Sequence, residues 1–135
     1  MRRRDVAGGG LPGETRRRLS EVRGALLRLH KILLDAEREA YERVYGQVTS
    51  GELLQLVIGH EQFAWLHSVS ELIVRIDELL DADDSAADGA EALLAQTGQL
   101  LRPSEEGEEF GRRYFDALQR DPAAVLAHGE VTKLL

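Results

Sequence analysis

Residues Glu14–Tyr45 read ETRRRLSEVRGALLRLHKILLDAEREAYERVY, thirty-two positions with no proline and one glycine, Gly24. Leu19, Val22, Leu26, Leu29, Leu33, Ala36 and Ala40 recur at alternating intervals of three and four, the signature of a helix that turns one apolar stripe toward a partner. Leu27, Leu34 and Tyr41 form a second stripe beside the first. That face is wider than a two-stranded seam needs, so the helix is expected to pack against at least two neighbours. At a rise of 1.5 Å per residue it would be about 48 Å long. A domain of this size is not that wide, so part of the helix is expected to project. Opposite charges four apart, Arg17 with Glu21, Lys31 with Asp35, Arg38 with Glu42 and Glu39 with Arg43, suit its outer side.

The rest of the chain continues in helices. Thr49-Ser50-Gly51-Glu52 has the spacing of a capping box, which starts a short helix over Ser50–Ile58, with Gly59 as its stop. A third helix is expected over Glu61–Leu80. It would turn Trp65, Leu66, Val69, Leu72, Ile73, Ile76, Leu79 and Leu80 inward, with Phe63 at the edge and His67, Glu71, Arg75 and Glu78 opposite. After an acidic turn, Ser85 and Asp88 repeat the capping pattern before a fourth helix, which Pro103 ends. Ser104 would cap a fifth, with Glu105, Glu106, Glu108 and Glu109 in its first turns and Phe110, Tyr114, Ala117 and Leu118 inward. Asp121-Pro122 opens a short sixth that frays past Gly129. No hairpin signal or repeat of solenoid period occurs. The fold class is all-α: a helical bundle with a long N-terminal helix and four to five shorter ones, one domain over residues 14–135.

Composition excludes several kinds of chemistry. The 135 residues include no cysteine, so disulfides, thiolate metal sites and a cysteine nucleophile are all absent. No apolar run reaches the roughly 18 residues of a membrane span. The opening MRRRDVAGGGLPG has arginines without an apolar segment after them, so it reads as a mobile basic arm over 1–13 and not as an export signal. A cytoplasmic protein is expected. Charge is unevenly placed: residues 1–45 carry a balance of +4 and residues 46–135 one of −11, within a net −7. The two parts should attract each other, inside one chain or between copies. Nucleic-acid binding by the acidic body is disfavoured. The six arginines of the arm and Arg16–Arg18 lack the interleaved aromatics of a single-strand binder.

The side chains with chemistry form no complete motif. No histidine follows an acid by three residues, as a di-iron bundle requires. His60-Glu61-Gln62-Phe63-Ala64 starts like a zinc-protease motif, but Ala64 stands where the second histidine belongs. His60, His67 and Glu71 fall on one line of the third helix and are the candidate metal ligands; the plainer reading pairs Glu71 with His67 or Arg75. Asp77 falls on the apolar side, among Phe63, Leu66, Ser70, Ile73 and Leu80. It is expected either to meet an arginine from another helix, such as Arg112 or Arg113, or to stand in a ligand pocket lined by Trp65, Tyr41 and Tyr45. His30 reads as a hydrogen-bonded boundary residue. His128 lies near a helix end, where a cation is welcome, with no partner identifiable from spacing.

The blocks GELLQLVI (51–58), QFAWL (62–66) and SELIVRIDE (70–78) resemble a family of small helical bacterial proteins with no assigned activity. The resemblance implies a bacterial cytosolic source and makes Phe63, Trp65, Arg75 and Asp77 a defined cluster; it implies no cofactor. The residues together suggest a non-enzymatic interaction or regulatory module that self-associates, as a dimer, through its long first helix, with a protein partner as the other macromolecular option. The alternative is a bundle that binds a small ligand or metal near Trp65, Arg75, Asp77 and Tyr41, or at His60, His67 and Glu71.

Overall fold

The leucine-rich stretch folds as one unbroken helix, α1 (Gly13–Tyr45), in the computed structural model of the protein, which describes residues 13–82 and 87–135. The elements that follow are α2 (Ser50–Gly59), a 3-10 helix (Glu61–Leu66), α3 (His67–Asp81), α4 (Ala87–Leu100), α5 (Glu109–Arg120) and α6 (Pro122–Thr132), with no strand among the described residues. The protein is an all-α bundle. The expected arm lies outside the described residues except for Gly13, as do Asp83, Asp84 and the Ser85–Asp88 capping pattern apart from the helical backbone of 87 and 88.

α1 is the spine. Leu19, Val22, Ala25, Leu26, Leu29 and Leu33 are buried along it, and its main neighbours are α3 and α6, with α4 and the 3-10 helix making smaller contacts. Two large neighbours account for the width of the apolar face. The second stripe is only partly covered: Leu34 and Tyr41 are half-buried, and Leu27 is 41% exposed. From Ala36 onward no residue of α1 is fully buried, so the last turns run past the core. Gly46 ends the helix at φ +92°, a left-handed conformation that favours glycine, and its N–H reaches the Glu42 carbonyl at 2.8 Å.

Basic α1 and the acidic body do attract each other, within one chain. Arg23 pairs with Asp77 of α3, Arg18 with Glu91 of α4 at 3.7 Å and Arg28 with Glu130 of α6 at 3.2 Å. Neither α3 nor α6 has a basic residue in its own last turn, and α1 supplies one to each. The Arg16 guanidinium donates to the Leu80 carbonyl at 2.8 Å, and Arg18 donates to the carbonyls of Leu134 and Leu135 at 3.0 and 2.6 Å. Orphan carbonyls at a helix C-terminus attract cations, so Arg16 completes the end of α3, while Arg18 holds Leu134 and Leu135, which follow α6.

Local signals placed most boundaries, with three departures. The Thr49/Glu52 capping box is formed in both directions, at 3.1 and 2.8 Å. Asp121 caps α6 through the Ala123 N–H at 3.0 Å, and α6 continues to Thr132 instead of fraying past Gly129, with Ala124, Ala127 and Val131 buried. The expected helix over Glu61–Leu80 is divided, because its first six residues form the tighter 3-10 turn. Phe63, Trp65 and Leu66 are all buried there, and Phe63 is at the centre of that contact and not at its edge. The fifth helix starts at Glu109 and not after Ser104. Residues 104–107 fold back, with the Ser104 N–H on the Gly111 carbonyl at 3.0 Å. A β-carbon at Gly107 would lie 2.7 Å from the Ser104 hydroxyl, so the turn needs glycine at this position.

Candidate functional site

Two regions bring chemistry-bearing side chains together: the seam between α1 and α3, and the tip where α1, α2 and the 3-10 helix meet. The seam is antiparallel. Arg16, Arg23, His30 and Glu37 lie seven residues apart on α1, which puts them on one line. Each meets a polar group opposite: Arg16 the Leu80 carbonyl, Arg23 the Asp77 carboxylate, His30 the Ser70 hydroxyl at 2.9 Å, and Glu37 the Trp65 and Gln62 side chains. Asp77 is therefore held by Arg23, not by Arg112 or Arg113. Its side chain is also 41% exposed, so it sits at the margin of the apolar face and not inside it. A pair that open to solvent contributes at most about 1 kcal/mol.

Glu37 is the polar side chain of this seam that the sequence reading did not single out. Its carboxylate accepts from Trp65 Nε1 at 2.8 Å and from Gln62 Nε2 at 3.1 Å, and the same Gln62 amide reaches the Glu37 carbonyl at 3.3 Å. One residue thus fastens the 3-10 helix to α1. The signal was the seven-residue recurrence 16, 23, 30, 37 of polar positions beside a leucine stripe.

The expected ligand residues do not share a pocket. Trp65 turns its ring to Phe110 at 5.4 Å, whereas Tyr41 contacts Tyr45, His60 and Phe63 at 4.7, 5.5 and 6.1 Å. Arg75 lies on the outer side of α3 and donates to Gln96 of α4 at 3.2 Å. With Ser68, Glu71, Leu72, Gln96 and Leu100 it lines an open groove of about 210 Å³, which neither Trp65, Tyr41 nor Asp77 reaches. The candidate metal ligands are also apart. His60 Nδ1 accepts the Gln62 N–H at 3.0 Å, His67 Nε2 donates to the Val57 carbonyl at 2.7 Å, and Glu71 is in the groove. Among the described residues no three His, Cys, Asp or Glu side chains are placed to hold a metal ion.

His128 has a partner after all. The hydroxyl of fully buried Tyr114 and His128 Nδ1 are 2.7 Å apart, closing the row Trp65, Phe110, Tyr114, His128. Burial pushes the Tyr114 hydroxyl up, so it donates and the imidazole accepts. Burial also holds His128 below the usual histidine range. For His30 burial does the same, reinforced by the nearby His67. Both imidazoles are neutral in the folded chain at a pH where the unfolded chain, at 6.5, starts to take up protons. Stability is thus full above that value and falls as pH drops through it toward the folded-state values. Melting temperature measured from pH 7.5 to 5.5 is expected to fall, and His30→Gln and His128→Gln should each flatten the slope. Unchanged slopes in both variants would refute this assignment.

The tip is apolar. Val44 and Tyr45 of α1 are 72% and 68% exposed, and Leu54 and Ile58 of α2 are 56% and 62% exposed. α2 buries none of its residues, although five of its ten are Leu, Val or Ile; Leu53, Leu56 and Val57 are partly covered. The linker before it is tied to α1, since Arg38 donates to the Val48 carbonyl at 2.7 Å and the Val48 N–H reaches Glu42 at 2.9 Å. Among the described residues no helix is long and apolar enough to cross a membrane. Fold and site together define a small all-helical bundle with an apolar tip. Comparison with protein-family models, curated proteins and solved structures gave no match.

Proposed function

We propose that the protein is a non-enzymatic helical interaction module that binds a second copy of itself through the tip formed by the end of α1 and by α2. The observation that carries this reading is the run Val44–His60. In a chain that is 30% charged, these seventeen residues include one charged side chain, Glu52, and its carboxylate is occupied by the capping box. Elsewhere a chain of net charge −7 repels its own copy; at the tip it does not. An interface of standard size removes about 800 Å² from each partner. That is close to one-tenth of the 7996 Å² exposed here, an area that a ten-residue helix with no buried residue and the last turn of α1 are suited to supply. Exposed leucine, isoleucine and tyrosine gathered at one end are the usual composition of such a contact.

The resemblance of residues 51–78 to small helical bacterial proteins adds the setting we propose, the cytoplasm of a bacterium. Light scattering during size-exclusion chromatography at tens of micromolar tests the module itself. A dimer is expected for the natural chain, and a monomer with an unchanged circular-dichroism spectrum for Leu54→Glu/Ile58→Glu. A strictly monomeric natural chain, or a double variant that still dimerises, would overturn the proposal.

A further inference from the structure

α2 has two unlike faces. Leu53, Leu56 and Val57 form the side that packs toward the bundle, mainly on the 3-10 helix. Gly51, Leu54, Gln55 and Ile58 lie on the opposite side, three, four and seven residues from the first of them, and all four are exposed. No charge stands on that line. Its two ends differ in relief: Ile58 projects, 62% exposed, whereas Gly51 leaves a hollow. The contacts of a single chain do not account for this glycine. A β-carbon at position 51 would meet nothing within 4 Å beyond its own turn of helix, and Gly46 is the one glycine with a left-handed φ among the described residues. Glycine weakens a helix relative to alanine, so position 51 carries a loss that no intrachain contact offsets.

A surface that binds its own copy about a two-fold axis must be complementary to itself. If the two α2 helices run in the same direction, Ile58 faces the partner's Ile58, Gly51 faces the partner's Gly51, and the Glu52 carboxylates come to the same end of the pair. If they run in opposite directions, with the axis midway between Leu54 and Gln55, each Ile58 meets the partner's Gly51, a projection against a hollow. Leu54 then meets the aliphatic stem of the partner's Gln55. The Glu52 carboxylates, one from each chain, are at opposite ends, and the helix dipoles are opposed. We propose that the tip pairs in this second way, as a symmetric dimer in which α2 crosses its copy antiparallel and Ile58 is seated on the partner's Gly51. Gly51 is the specificity-determining position of the interface, because its missing side chain admits the partner's Ile58.

This inference rests on the tip reading and adds direction and register to it. The chain has no cysteine, so introduced cysteines report the geometry without background. Gly51→Cys and Ile58→Cys chains are mixed and oxidised. Antiparallel pairing brings the two different positions together and holds two copies of position 51 about 10 Å apart along the helix, beyond the roughly 7 Å that a disulfide spans. The mixed disulfide is therefore expected to exceed self-linked Gly51→Cys chains several-fold. Gly51→Leu fills the hollow twice in each dimer and touches nothing in its own chain. It should keep the natural circular-dichroism spectrum and raise the dissociation constant of the dimer roughly tenfold or more, measured by light scattering over a dilution series. Self-linked Gly51→Cys chains in excess, or a Gly51→Leu chain that dimerises like the natural one, would overturn the antiparallel arrangement and leave self-association standing. A natural chain that is monomeric at tens of micromolar overturns both.

Discussion

Leu29→Ala is expected to lower the melting temperature by roughly 10 °C, and Leu27→Ala, two residues away on the same helix, to leave it within a few degrees. Leu29 is 0% exposed on the line that faces the core, and Leu27 is 41% exposed. Truncating a fully buried leucine removes its transfer free energy and leaves a cavity, together about 2–5 kcal/mol. In a domain of this length each kcal/mol corresponds to roughly 3–5 °C. The exposed leucine already has much of its surface in water and surrenders far less. Thermal melting by circular dichroism distinguishes the two, and equal losses would mean that the buried line of α1 is misplaced.

Glu37→Ala is expected to cost about 1–3 kcal/mol, well above the usual loss at a half-exposed glutamate. The expense is in what is left behind. Trp65 is 6% exposed, and its Nε1–H has the Glu37 carboxylate as acceptor. Removing the acceptor leaves a desolvated donor unpaired, and the Gln62 amide loses its side-chain partner as well. Glu37→Gln keeps an oxygen in place and should recover about 1 kcal/mol of the loss. Urea unfolding followed by the fluorescence of Trp65, the single tryptophan, measures both the stability and the local setting of the indole. Similar losses in the Ala and Gln variants would show that the bond to Trp65 contributes little.

Periodicity and capping carried most of the fold. Leu19, Val22, Leu26, Leu29 and Leu33 are buried as their spacing requires, and Thr49, Glu52 and Asp121 cap the helices they were expected to cap. These signals are local, and the bonds they predict close within a turn or two. Distant partners were not legible. A helical wheel places Asp77 on the inner side of α3, but it carries no information on whether the arginine opposite comes from α5 or from α1. The 3-10 helix escaped for a similar reason: burial of Phe63, Trp65 and Leu66 together goes with Glu37 of the neighbouring α1 holding Gln62 and Trp65 of the turn. The acidic run 105–109 suited a helix start by charge, yet the close approach of Gly107 to Ser104 makes most of it a turn. The candidate sites fared like Asp77. Residues collinear on one helix, as His60, His67 and Glu71 were, diverge once the first of them belongs to a different kind of turn.

The division of charge also changes meaning. Among the described residues, Arg16, Arg18, Arg23 and Arg28 are used within the chain, on three carboxylates, on the end of α3 and on Leu134 and Leu135 after α6. Those four are therefore no argument for a second copy. What favours a second copy is instead a stretch around α2 with almost no charge.

The line Arg16, Arg23, His30, Glu37 bears finally on how the chain finds its fold. A helix rich in leucine can slide along a leucine- and isoleucine-rich neighbour at little loss of apolar contact, and each such slip is a compact, wrongly threaded state. A slip of one turn would bring Leu26 or Leu27 opposite Asp77 and send Arg23 among leucines, unpairing the line at several points together. The polar line thus raises the free energy of the slipped states more than it lowers that of the native one, as a polar position does in a coiled coil. Its contribution is a search with fewer kinetic traps, and that effect is invisible in any one of its half-exposed pairs.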